Sequence, residues 1–186
     1  MSDESVSPGP ADFALTCVLC HVAGRPAPAP PERPLYERRA ACFVTLKKQG
    51  ELRGCIGTLE PAEASLGEEI VRNAHSSALR DPRFAPVSAD ECETLTCSVD
   101  VLSPSEACEL DDLDPACYGV IVEAGGRRGV LLPALAGVDT VDAQVGIALQ
   151  KAGIRPDAPY EVRRFTVTRY RQGDPDEPGG PDDEGG

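Results

Sequence analysis

The chain has 186 residues and a net charge of −13, a length that holds one core or two small lobes sharing one but not several independent domains. Most of the charge sits at the ends: residues 1–12 carry three acids and no base, residues 171–186 carry six acids and Arg171, and the stretch between is left at only −5. A segment so balanced, without a run of Lys and Arg interleaved with aromatics, argues against nucleic acid as a partner. No stretch approaches the roughly 20 apolar residues of a membrane helix, and the acidic Met-Ser-Asp-Glu start lacks the basic and then apolar order of a signal peptide, so a cytoplasmic protein is expected, with no membrane contact.

Residues 1–10 and 172–186 are polar and rich in Pro, Gly and acids, and read as disordered ends around a single domain over 11–171. The run ADFALTCVLCHVA over 11–23 suits a buried helix, with Phe13, Cys17 and Cys20 at i, i+4 and i+7. Gly24 closes it, and the prolines that follow impose an extended path. CFVTL and LRGCIGTL around KKQGE read as a β-hairpin. A helix is then expected from Glu60-Pro61 to Asp81-Pro82, with Leu66, Ile70, Ala74 and Ala78 on one face.

TLTCSVDVL is a strand with Leu95, Cys97, Val99 and Val101 on one side and Thr94, Thr96, Ser98 and Asp100 on the other. Residues 118–124 and 127–132 form a second hairpin about Gly125-Gly126. Thr140 caps a helix that runs to Ala152 and stops at Gly153. A final strand is expected over 160–170, where Arg163, Arg164, Arg169 and Arg171 read as its outer face. Hairpins mixed with helices, without a repeated βαβ rhythm, imply an α+β fold with an antiparallel sheet and flanking helices.

The hexapeptide LRGCIG at 52–57, preceded by FVTL, resembles the hallmark of the AMME chromosomal region gene family (the AMMECR domain). DPRF at 81–84, CSVDVLS at 97–103, RRGVLLP at 127–133 and KAGI at 151–154 are similar to family segments in the same order. The resemblance implies a larger lobe built from both ends of the domain, a smaller middle lobe and a cleft between them. It also implies, as partners in a three-part system, Memo-type dioxygenase-like proteins and radical-SAM proteins. This chain lacks the cysteine spacing of a radical-SAM cluster itself. It departs from the family at Ala134, where relatives carry Gln, and in having no Trp.

Within LRGCIG, Gly54 and Gly57 leave room for another backbone or a ligand beside Cys55. Arg53, two residues from Cys55, shares its face in a regular strand, and a guanidinium beside a thiol favours thiolate. Cys55 is therefore the candidate nucleophile of a Cys-dependent transferase or hydrolase, with Arg53 holding an anionic substrate; the opposing reading makes Cys55 and Ile56 packed strand residues. In DPRF, Pro82 ends the helix and Phe84 plugs the core. Asp81 and Arg83 either brace the turn as an ion pair or join Arg53 in an anion clamp.

The C-x-x-C-H spelling of Cys17, Cys20 and His21 matches haem attachment, yet on a helix the two cysteines are core filler, and no second pair completes a zinc site. No metal and no cofactor are expected. Two functions stay open: a binding or adaptor module whose inter-lobe cleft holds a small anionic ligand or a partner segment, with Arg53, Gly54, Gly57, Asp81 and Arg83 as its contacts, and a thiol-dependent enzyme built on Cys55.

Overall fold

A computed structural model describes residues 8–175 and divides the chain into two compact units. The first takes the chain up to Val101 and from Thr168 onward; the second runs from Leu102 to Val167. Each is helices on an antiparallel sheet, which places the fold in the α+β class.

The first unit contains α1 (Pro10–Val22), α2 (Pro34–Glu37), the hairpin β1 (Cys42–Lys48) and β2 (Glu51–Gly57), α3 (Leu66–Leu79), β3 (Leu95–Leu102) and β8 (Val167–Arg171). Its sheet has the order β2-β1-β3-β8, so the last described strand lies beside the third. Strand alternation sends Cys42, Val44, Leu46, Cys97, Val99 and Val101 into a core with Phe13, Cys17 and Val18 of α1 and Leu66, Ile70, Ala74 and Ala78 of α3. Phe13 meets Tyr36 of α2 edge to face at 5.6 Å. The opposite sheet face carries Thr45, Lys47, Thr96, Ser98 and Arg169.

The second unit contains β4 (Glu106–Ala107), β5 (Gly119–Ala124), β6 (Arg127–Leu131), α4 (Val141–Ala152) and β7 (Glu161–Phe165), with sheet order β4-β7-β5-β6. Val145, Ala148 and Leu149 of α4 pack on Val120, Val122 and Leu131. Thr140 caps α4 through the amide of Ala143, and Gly153 ends it in the left-handed region.

Four features differ from the sequence expectation. The strand expected over 160–170 is two strands in two sheets, broken at Thr166, whose amide and carbonyl bond the hydroxyl and amide of Ser103. The helix expected from Glu60 begins at Leu66, capped by Ser65, because the amides of Ala62 and Glu63 are drawn instead onto the carboxylate of Glu69. Phe84 is half-buried, and the buried side chain after the corner is Val87, whose amide bonds Ala78's carbonyl. Cys20 is only half-buried.

The expected disordered ends lie partly outside the described residues. Of their described parts, Pro8 accepts from the Tyr36 hydroxyl, Gly9 lies against Asp174, and Gln172 accepts the amide of Cys97.

Candidate functional site

The site begins with an unexpected stripe on α3. Glu69, Asn73, Ser77 and the following Asp81 recur every four residues, and all four are buried. Buried polar groups must find partners, and these find the β1/β2 hairpin and the segment that follows it. Asn73 donates to Cys42's carbonyl at 3.0 Å, and Ser77's hydroxyl donates to Val44's carbonyl at 2.7 Å while accepting Ile56's amide at 2.9 Å. Glu69 accepts from the Thr58 hydroxyl and the Ala62 and Glu63 amides. Asp81 accepts the Cys55 amide at 2.9 Å. The edge strand β2 is thus fastened to the helix instead of being left open to pair with another chain.

The glycines follow from this docking. A Cβ on Gly54 would overlap the Ser77 carbonyl, and one on Gly57 would overlap the Phe43 ring and the Cys42 carbonyl. Both therefore serve close approach within the protein rather than room for a ligand.

Arg53 does not share Cys55's environment. The register slips between Leu46, which faces Gly54, and Lys47, which faces Leu52, leaving Arg53 as the extra residue of a β-bulge. A bulge re-aims its side chain, and Arg53 forks onto Glu91 at 3.0 and 2.8 Å and donates to the carbonyls of Ala85 and Pro86. Arg53 holds the Glu91 carboxyl well below the usual carboxylate range, with Ser88 and Lys48 adding to it.

Arg83 comes to Cys55 instead. Its guanidinium chelates Asp81 at 3.0 and 2.7 Å and donates to the Cys55 carbonyl at 3.1 Å. Asp81 is depressed chiefly by this pairing. Asp81 and Arg83 thus hold both backbone groups of Cys55. The guanidinium carbons of Arg53 and Arg83 lie 5.9 and 5.5 Å from the centre of the Phe84 ring.

The Cys55 side chain points to the other sheet face, half-buried, 3.2 Å from the Thr45 hydroxyl. Register places Cys55, Thr45 and Ser98 in one row across β2, β1 and β3. The two histidines are elsewhere: His21 and His75 meet ring to ring at 4.9 Å between α1 and α3. Burial pushes Cys17 up to about 12, so it is a neutral core thiol at physiological pH. Among the described residues no three His, Cys, Asp or Glu side chains are grouped to hold a metal. No described helix is long and apolar enough to cross a membrane.

Of the sequence-derived candidates, the structure brings together Cys55, Asp81 and Arg83 and turns Arg53 away to Glu91. The polar stripe Glu69-Asn73-Ser77 was not anticipated, although its four-residue spacing is written in the sequence. The Arg cluster of the last strand is divided: Arg163 and Arg164 bond Ser105, Glu106 and Asp112 in the second unit, while Arg169 chelates Asp100 in the first.

The AMMECR1 family model matches residues 12–173. A Thermotoga maritima protein is 53% identical over 140 residues, covering 74% of this chain and 80% of its own length. A Methanothermobacter thermautotrophicus protein is 38% identical, covering 74% and 78%. A Clostridium acetobutylicum protein is 49% identical over 74% of this chain, which spans only 30% of that relative. The crystal structure of a Pyrococcus horikoshii protein superposes with a TM-score of 0.78 at 29% identity, covering 91% of this chain and 92% of that one. With the glycine-framed strand, the docked helix and the Asp-Pro-Arg-Phe corner in place, these matches establish that the chain belongs to the AMMECR1 family.

Proposed function

We propose that this protein is a cytosolic, noncatalytic binding module that holds a small anionic ligand or a partner's acidic segment on the open sheet face beside Cys55, working with Memo-type and radical-SAM proteins. The observation that carries this reading is the fixed backbone of Cys55. Asp81 and Arg83 occupy its amide and carbonyl, and the partner of its thiol is a Thr hydroxyl rather than an imidazole. A rigid, cationic, hydroxyl-lined surface without a paired base binds rather than turns over. Binding of the purified protein to its Memo-type and radical-SAM partners by calorimetry tests this. Cys55→Ser should bind as the native protein does, and loss of binding with that variant alone, or no binding by the native chain, sinks the adaptor reading.

A thiol-dependent enzyme is the second reading, favoured by the incomplete burial of the Cys55 thiol, which lies beside the Thr45 hydroxyl. Alkylation of the native protein across pH decides it: a Cys55 that reacts fully well below the ordinary thiol range of about 8.5 supports nucleophilic chemistry.

A further inference from the structure

The open face of the first sheet carries a depression of about 350 Å³ lined by Thr45, Lys47, Thr96, Ser98, Arg169 and Arg171, with no acidic residue in its wall. Its construction follows from the strand order. β3 lies between β1 and β8 and contributes only short hydroxyl side chains here, Thr96 and Ser98. Ser98 faces Thr45 and Thr96 faces Lys47 across the ladder, where opposed residues stand about 4.5–5.5 Å apart. Long cations rise on the flanking strands: Lys47 on one side, Arg169 and Arg171 on the other. The result is a floor of hydroxyls between cationic walls, in a chain that is otherwise strongly acidic.

We infer that this basin is a binding site for the phosphoryl group of a small phosphate monoester. The inference rests on the anion-binding reading above and gives its ligand a chemical class. Two features select phosphate over carboxylate. One edge of the Arg169 guanidinium is committed to Asp100 through Nε at 2.6 Å and Nη2 at 2.8 Å. What Arg169 still offers the basin is its charge and the three outer N–H groups of its two terminal nitrogens, so the preference for phosphate rests on the spread of the other donors and on charge.

The other donors are the hydroxyls of Thr96 and Ser98, the Thr45 hydroxyl shared with Cys55, and the ammonium of Lys47. They are spread over two strands, a spacing that suits the several oxygens of a tetrahedral group better than one flat pair. A monoester carries about −1.5 to −2 at neutral pH and so is drawn more strongly to Lys47 and the arginines than a singly charged carboxylate is. Lys47 is exposed.

The test is an amide-resolved NMR titration of the full chain with inorganic phosphate, phenyl phosphate and acetate at matched ionic strength. Saturable shifts centred on Thr45, Thr96 and Ser98 are expected with both phosphates and not with acetate. Lys47→Gln should weaken phosphate binding about tenfold without changing the unfolding midpoint, and Ser98→Ala should weaken it in the same direction. If acetate or an acidic peptide saturates the same amides and phosphate does not, the phosphoryl assignment falls while the anion-binding reading stands. If no anion produces saturable shifts there, both fall. An oligonucleotide without terminal phosphates that outcompetes phenyl phosphate would assign the basin to a diester backbone and overturn the monoester. Phosphate shifts that survive Lys47→Gln and Ser98→Ala unchanged would also overturn it.

Discussion

Gly54 lies flat against the carbonyl of Ser77, so that strand and helix meet backbone to backbone. A methyl group there must push the helix off the sheet, because its neighbour is main chain and not a side chain that can rotate. Gly54→Ala should therefore cost about 3 kcal/mol or more. Gly50, at φ +84 with open space around it, is the control. Its alanine variant should lose only about 1 kcal/mol, through backbone strain. Urea unfolding of the two variants checks the difference, and equal losses would mean that the helix contact is unimportant.

Asp81 supplies a pH signature. Its carboxyl is depressed below the unfolded value of about 3.9, first by Arg83 and then by the Cys55 and Arg83 amides, so its contribution to stability is complete above pH 4 and declines as pH falls toward the folded value. Asp81→Asn should be destabilised by about 1–3 kcal/mol at pH 6, since it keeps an acceptor for the Cys55 amide but loses the charge. The gap between the native protein and the variant should narrow progressively below pH 4. Denaturation midpoints measured at several pH values would show a constant gap if the pairing were energetically idle.

Arg53 should not tolerate lysine. The guanidinium reaches both oxygens of Glu91 and two carbonyls at once, and a single ammonium cannot reproduce that fork. Arg53→Lys is expected to lose about 1–2 kcal/mol by thermal or urea unfolding. Binding of phosphate at the sheet face should be unchanged, because the bulge carries Arg53 away from that surface. A variant of native stability would show that the contacts to the 85–91 segment are dispensable.

Much of the fold was legible because its signals are local. The Thr140 cap, the Gly153 stop and the alternation from Leu95 to Val101 all appear in the structure as the sequence implies. The apolar line Leu66-Ile70-Ala74-Ala78 was equally plain. Its polar neighbour Glu69-Asn73-Ser77 carries no such signal, because polar residues beside an apolar stripe ordinarily face water, and only the approach of the hairpin buries them.

The pairing of Arg53 with Cys55 failed for a different reason. Face-sharing by residues two apart holds only in an unbroken strand, and a bulge is decided by the partner's register rather than by a residue type. The break at Thr166 has the same origin. Neither Gly nor Pro marks it; it exists because Ser103, more than sixty residues earlier, takes both backbone groups of Thr166.

The position of β8 in the first sheet bears on how the chain is made. The middle unit has all of its strands once Val167 has been synthesised, whereas the sheet that begins at Cys42 lacks its outer strand until Arg171 follows. On the ribosome the later-encoded middle can thus mature first, while the earlier-made half waits with the edge of β3 unpaired. Premature termination just before Thr168 would leave that edge permanently open to other nascent chains.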